Sequence, residues 1–297
     1  MTIKSKTYQV GDVNVTRIDE LVLNNVTPSA LFPNWDTEVL RDHQSWLSPG
    51  SMDANLKYAL MSVHTWVVKT RHHTILIDTG VGNDKERPFT PGFDHLQLPY
   101  LEKLSAVGVE PEAVDYVLLT HLHVDHVGWN TRRVNGHWVP TFPNARYVFS
   151  KTEYEYYKDT ANHNTRNKTS VVIQQDSVVP IIEAGLADMI NIDGSEFIDG
   201  LSFNPTPGHS IDHSTISLSS CGAEALFVGD LLHHPIQVRY PEWNSMFDAF
   251  PEQACSSRLW ALEYAAKRQA ILFSSHFPES SAGLVTRKGK RFAWHYI

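Results

Sequence analysis

Cysteine is nearly absent from this chain: Cys221 and Cys255 are the two in 297 residues, and they stand in no paired spacing. That excludes a disulfide framework and a C-x-x-C redox or zinc module, and it fits a reducing compartment, with both residues read as small buried hydrophobes. Long apolar runs are missing too. No stretch approaches the roughly 18–20 residues that a membrane span requires, and the opening MTIKSKTYQVGDVNV has no apolar signal core, so the expected location is cytoplasmic. Positive charge is sparse and scattered, with a net charge of −8. Without a basic stripe there is no electrostatic footprint for nucleic acid or a membrane surface. There is no G-x-S-x-G elbow to present a serine nucleophile. Nor is there a Gly/Ser linker or low-complexity segment, so residues 1–297 read as a single domain.

Histidine, in contrast, is abundant, at 16 residues. As the commonest metal ligand and a side chain that titrates near neutrality, it invites a search for clustering. The apolar patterning supplies the frame. Residues 8–18 alternate across Gly11-Asp12, as in a hairpin or bent strand, and 59–70 and 73–80 read as strands. Residues 95–108 have helical spacing closed by Gly108, and 115–120 is a short buried strand. Strands are expected at 146–150, 201–206, 214–220, 225–230 and 270–276, a helix start at 151–159, and the best helix at 252–268. Residues 20–55, broken by Pro28, Pro33 and Pro49, read as an irregular segment that would serve as a lid or a dimer contact.

The chemistry lies in T-H-L-H-V-D-H-V-G-W, residues 120–129. In an extended or turning segment His121 and His123 project to one side and can reach one ion, while Asp125 and His126 follow in the turn and can reach a second. A dinuclear site needs further donors, including a carboxylate able to bridge two cations. Three strand ends offer them: Thr206-Pro207-Gly208-His209-Ser210, Gly229-Asp230 and Ser275-His276. Any one of these histidines alone would mean little, but ordered motifs at four strand ends are hard to produce otherwise.

This ordered set, running from Asp78-Thr79-Gly80 through His121, His123, Asp125 and His126 to Pro207-Gly208-His209, Asp230 and His276, resembles the metallo-β-lactamase superfamily. The resemblance implies an α/β fold, an αββα sandwich of two mixed β-sheets flanked by helices. It also implies two divalent metal ions per chain, with Zn2+ favoured and Mn, Co or Fe as alternatives. By that likeness one ion takes His121, His123 and His209, the other takes Asp125, His126 and His276, and Asp230 bridges, with Asp78 supporting the site. The implied reaction is attack of a metal-bridging hydroxide on a carbonyl or phosphoryl centre, with Asp125 orienting the hydroxide.

Within the superfamily, a bridging Asp230 argues against the zinc β-lactamases, and the 21 residues after His276 argue against the longer glyoxalase II. What remains is similar to the branch of N-acyl homoserine lactonases and methyl parathion hydrolase. The expected activity is therefore lactone or ester hydrolysis on a small hydrophobic substrate. The alternatives are an organophosphate triester hydrolase, or a mononuclear iron oxidoreductase like the persulfide dioxygenases. One departure stands out. The lactonases carry a tyrosine three residues after the bridging aspartate, where this chain has His233, an imidazole able to donate to an oxyanion or protonate a leaving group. Trp129, Trp138, His234, Phe247 and Phe277 adjoin the motifs and are candidate substrate contacts, although core packing explains any one of them about as well. A homodimer is a candidate assembly. His213 and the remaining histidines read as structural or surface residues.

Overall fold

Strand β1 (Thr7–Val10) pairs antiparallel with β2 (Val13–Val26) across Gly11-Asp12, where Gly11 takes φ 60°. The turn needs that left-handed conformation, and glycine adopts it without a Cβ penalty. The computed structural model describes residues 6–39, 47, 50–164 and 167–297. His43 and Trp46, and with them part of the expected 20–55 segment, lie outside the described residues. The described part of that segment is more regular than its prolines imply. β2 continues to Val26, and Pro28 occupies the first turn of a short helix, Pro28–Leu31, where its missing N–H costs nothing and Thr27 caps the end.

The chain divides into two compact units, Met1–Glu20 with Val63–Ile192, and Leu21–Ser62 with Asp193–Ile297. No linker separates them in sequence; each is built from two stretches of chain.

The first unit is organised on a seven-stranded mixed sheet. Its further strands are β3 (Ala59–Lys69), β4 (Thr74–Ile77), β5 (Tyr116–Leu118), β8 (Arg146–Ser150) and β9 (Ala187–Ile190), in the order β1-β2-β3-β4-β5-β8-β9. β3 and β4 are antiparallel, and β4, β5, β8 and β9 run parallel. β3 is buried along nearly its whole length, as a central strand covered on both faces should be. A separate hairpin, β6 (Thr131–Val134) and β7 (His137–Pro140), turns at Asn135-Gly136, both with positive φ. The core gathers Val67, Leu76, Leu104, Val117, Phe142 and Phe149 with the helices Tyr100–Ala106 and Lys151–Lys158. The first of these helices starts later than the apolar spacing predicts, at Tyr100 behind Pro99.

The second unit carries the other seven-stranded sheet, β10 (Glu196–Ile198), β11 (Leu201–Pro205), β12 (Ser214–Ser220), β13 (Ala223–Phe227), β14 (Ile271–Phe273), β15 (Ala282–Lys288) and β16 (Arg291–Tyr296), adjacent in sequence order. Only the β13–β14 pairing is parallel, and the helix Pro251–Arg268 makes that crossover. Leu226, Leu262, Ala265 and Phe277 form its core, and Leu31, Phe32, Met61, Ile236 and Trp243 form a second cluster.

Both cysteines lie nearer the surface than expected. Cys221 is exposed in the β12–β13 turn, where a left-handed φ of 48° turns the chain, and Cys255 is half-buried on the long helix.

Candidate metal centre

In each unit the polar residues of interest follow directly on an apolar strand. The strand is held by its ladder, so the first residues beyond it are placed at a fixed rim. β4 delivers Asp78 and β5 delivers Thr120 to His126 in the first unit; β11, β13 and β14 deliver His209, Asp230 and His276 in the second.

In the first unit the imidazoles of His121 and His123 lie 4.5 Å apart, and those of His121 and His126 4.1 Å apart, centre to centre. Their outer nitrogens are tied down. His126 Nδ1 lies 2.7 Å from Asp78 Oδ2. His121 Nδ1 lies 3.0 Å from the Thr120 hydroxyl, which donates in turn to Asp78 at 2.9 Å. Asp78 also accepts the Thr120 N–H at 2.9 Å. With the proton on Nδ1 in both rings, the lone pair sits on Nε2, the form in which imidazole binds a cation. His123 is held the other way round, with its Nε2 2.8 Å from the hydroxyl of buried Tyr157, which places the donor lone pair on Nδ1. Tyr157 arrives on a helix whose N-terminus is capped by Ser150, the hydroxyl of which accepts the N–H of Glu153. Asp125 Oδ1 is 3.8 Å from His126 Nε2.

Behind these groups, buried Glu20 accepts the N–H groups of Val81 at 2.6 Å and Gly82 at 3.0 Å, and the Trp129 indole N–H at 2.7 Å. Burial pushes its pKa up to about 7, against the pull of the three hydrogen bonds. Gly80, at φ 59°, leaves the space that the Glu20 carboxylate fills.

In the second unit three imidazoles converge on one carboxylate. His276 Nε2 is 2.8 Å from Asp230 Oδ1, and His209 Nε2 and His233 Nε2 are 3.1 Å and 3.4 Å from Asp230 Oδ2. His276 Nδ1 donates to the Ser62 carbonyl at 2.9 Å, and His209 Nδ1 faces Asp248 Oδ1 at 3.3 Å. Burial disfavours the charged form of His209, but Asp230 and Asp248 outweigh it and raise its pKa to about 9; burial dominates at His233 and lowers it. His213 accepts the Asp230 N–H on Nε2 at 3.0 Å, and so fixes the backbone at that carboxylate.

This donor set suits a divalent cation. Imidazole nitrogens and carboxylate oxygens about 3 Å apart, buried, with outer nitrogens committed to carboxylates, hydroxyls or carbonyls, match the two-layer construction of protein metal sites.

Sequence reasoning pointed to Asp78, His121, His123, Asp125 and His126, which the first unit brings together, and to His209, Asp230, His233 and His276, which the second does. It missed Glu20, Tyr157, Asp248 and Arg258. None belongs to a motif, although the helix start expected at 151–159 did anticipate the helix that bears Tyr157. The five candidate substrate contacts differ. Trp129 is buried, stacked on Tyr100 at 4.8 Å, and Phe277 is buried edge-on to Trp294. Trp138 receives Lys85 Nζ over its ring at 3.8 Å. Both nitrogens of buried His234 meet main-chain groups, the Ser51 carbonyl and the Ile236 N–H. Phe247 is 39% exposed with its ring 5.5 Å from that of His233.

The family model of the metallo-beta-lactamase superfamily matches residues 59–276. The chain belongs to that superfamily. A curated relative, the N-acyl homoserine lactonase AiiA of Bacillus thuringiensis subsp. kurstaki, is 26% identical over 257 residues, covering 79% of this chain and 88% of the relative. Among solved structures, the beta-lactamase-superfamily hydrolase AbOPH superposes with a TM-score of 0.81 at 26% identity, over 99% of this chain and 97% of that one. The dizinc quorum-quenching lactonase AidC gives 0.80 at 22% identity over the same shares. The fold is thus the metallo-β-lactamase fold, with two mixed sheets and their helices.

Proposed function

We propose that this protein opens the ring of a lactone, or cleaves an ester, of a small hydrophobic substrate, using two divalent metal ions held by His121, His123, Asp125, His126, His209, Asp230 and His276. It is a lactonase-like, metal-dependent hydrolase of its superfamily. The observation that supports this reading is the convergence of three imidazoles on Asp230, a buried carboxylate with a ring nitrogen near each of its two oxygens. The lactonase names of the relatives support the ester-type substrate.

The ions, zinc being favoured by the dizinc neighbour, supply an activated water and polarise the substrate carbonyl when bound. The chain's own groups do the rest. Asp78, Thr120, Tyr157, Asp248 and the Ser62 carbonyl hold each imidazole in the tautomer that points a lone pair inward. Asp125 orients the attacking water. His233, buried beside Asp230, is kept neutral near pH 7 by burial, so its ring N–H serves as a hydrogen-bond donor to the oxyanion, and the proton that reaches the departing alkoxide is the one given up by the attacking water. Phe247, at the exposed edge near His233, contacts the apolar part of the substrate.

The test is a hydrolysis panel with zinc-loaded protein against acyl homoserine lactones, aromatic lactones, aryl esters, β-lactams and methyl parathion, with metal counted per chain. Turnover highest on lactones or esters with two zinc ions bound is expected. Turnover confined to methyl parathion would move the assignment to phosphotriesters, and one iron with no hydrolysis would overturn it.

A further inference from the structure

The helix Pro251–Arg268 turns one charged side chain inward. Arg258 is fully buried: Nε donates to the Leu231 carbonyl at 2.7 Å, one terminal nitrogen to the Pro241 carbonyl at 2.7 Å, and the other to Asp248 Oδ2 at 2.9 Å. Asp248 is equally buried. Its Oδ1 faces His209 Nδ1 at 3.3 Å, and its Oδ2 also accepts the Ser245 N–H at 2.9 Å. A buried ion pair is weak support for stability, because desolvating both charges offsets their attraction. This pair instead sits one bond network away from two proposed ligands, touching His209 on one side and the residue after Asp230 on the other.

We propose that Asp248, anchored by Arg258, is a positioning residue of the metal centre: it fixes His209 with its proton on Nδ1 and its lone pair on Nε2, facing Asp230. The inference rests on the reading of His209 and Asp230 as ligands. A carboxylate that accepts the outer N–H of a ligating imidazole sets the ring's orientation and raises its basicity toward the metal. Arg258 supplies the complementary charge that keeps this carboxylate ionised in a buried place, and the same guanidinium holds the Leu231 carbonyl, so the backbone bearing Asp230 is set from the same point. The turn that brings Asp248 in is itself tied to the ligand's main chain. Ala249 N–H donates to the His209 carbonyl at 3.1 Å and Phe250 N–H to that of Gly208 at 2.7 Å. Met246 and Phe247, 46% and 39% exposed, ride on that turn, so the apolar edge near the site is placed together with His209.

The experiment is zinc affinity of the full-length Asp248→Asn variant by competition with a chromogenic chelator, together with thermal unfolding of the metal-free protein. Zinc binding weaker by about 10–100-fold, with unfolding of the metal-free form within a few degrees of wild type, is expected. A second measurement needs no variant: nitrogen-15 NMR of the histidines in zinc-loaded wild type should show the His209 proton on Nδ1 alone, shifted downfield by the carboxylate. A folded Asp248→Asn protein with wild-type zinc affinity, or a His209 protonated on Nε2, overturns the proposal. Wild-type protein that binds no zinc at all would sink the ligand reading itself, whereas two zinc ions bound alike by wild type and Asp248→Asn would sink only the role of Asp248.

Discussion

A single carboxylate, Asp78, steadies two imidazoles: His126 directly, and His121 by way of the Thr120 hydroxyl. The backbone at Asp78 is left-handed, with φ 55°, a conformation that aspartate tolerates better than most residues, and it is what lets the short side chain face back toward Thr120. Asp78→Asn keeps the size but replaces an acceptor oxygen with an NH2 that must point at one of these donors. Zinc affinity lower by about 10–100-fold is expected, measured by chelator competition, with the fold retained by circular dichroism. His233 makes a different kind of prediction because it is placed for chemistry. His233→Ala should lower kcat by about 100-fold while two zinc ions remain bound, read by steady-state kinetics and metal analysis. An unchanged kcat would return His233 to a packing role beside His276, on which its ring stacks at 5.3 Å.

At the scale of elements, the histidine-rich turn after β5 is fastened by backbone contact. Gly128 N–H donates to the Gly80 carbonyl at 2.7 Å and Trp129 N–H to that of Thr79 at 2.8 Å. A Cβ on Gly128 would fall onto the Val81 carbonyl and the Gly82 nitrogen, main-chain atoms that cannot rotate aside. Gly128→Ala should therefore destabilise the protein by on the order of 3 kcal/mol in urea unfolding, with metal binding lost in parallel. This closeness was invisible in the sequence, where Gly128 is merely a small residue two places after His126. The same turn's ligands were fully legible, since H-x-H-x-D-H carries its chemistry in consecutive letters. Legibility follows range. Strands β3, β4 and β8 and the long helix were readable from local periodicity, whereas the hairpin at Asn135-Gly136, with only four residues in each strand, went unread. Asp248, Arg258, Tyr157 and Glu20 owe their roles to partners 20 or more residues away or to burial, and neither leaves a local mark. The prolines at 28 and 33 misled for the opposite reason: a local breaker signal just past the end of β2 hid the seven strand residues 20–26 before it.

For the molecule as a whole, ionisation of buried Glu20 ties stability to pH. Its pKa rises from 4.5 to about 7 on folding, so the folded state holds a proton that the unfolded chain has released between those values. The contribution is fully present below pH 4.5 and is lost as pH rises through 7, a fall of up to roughly 3 kcal/mol. Chemical unfolding of metal-free wild type and Glu20→Gln from pH 4 to 8 should show this slope in the first and not in the second; equal slopes would locate the carboxylate's proton elsewhere. Net charge of −8 adds general self-repulsion that both proteins share, so the difference isolates one group.

The partner of that carboxylate is an indole. Because Trp129 donates its N–H to Glu20 and lies flat against Tyr100, the charge on Glu20 alters the electric field across a rigid, water-shielded fluorophore. Its emission should change in intensity and wavelength as that single proton leaves, and because the chain has eight tryptophans the change is read as the difference between wild type and Glu20→Gln across the same pH range.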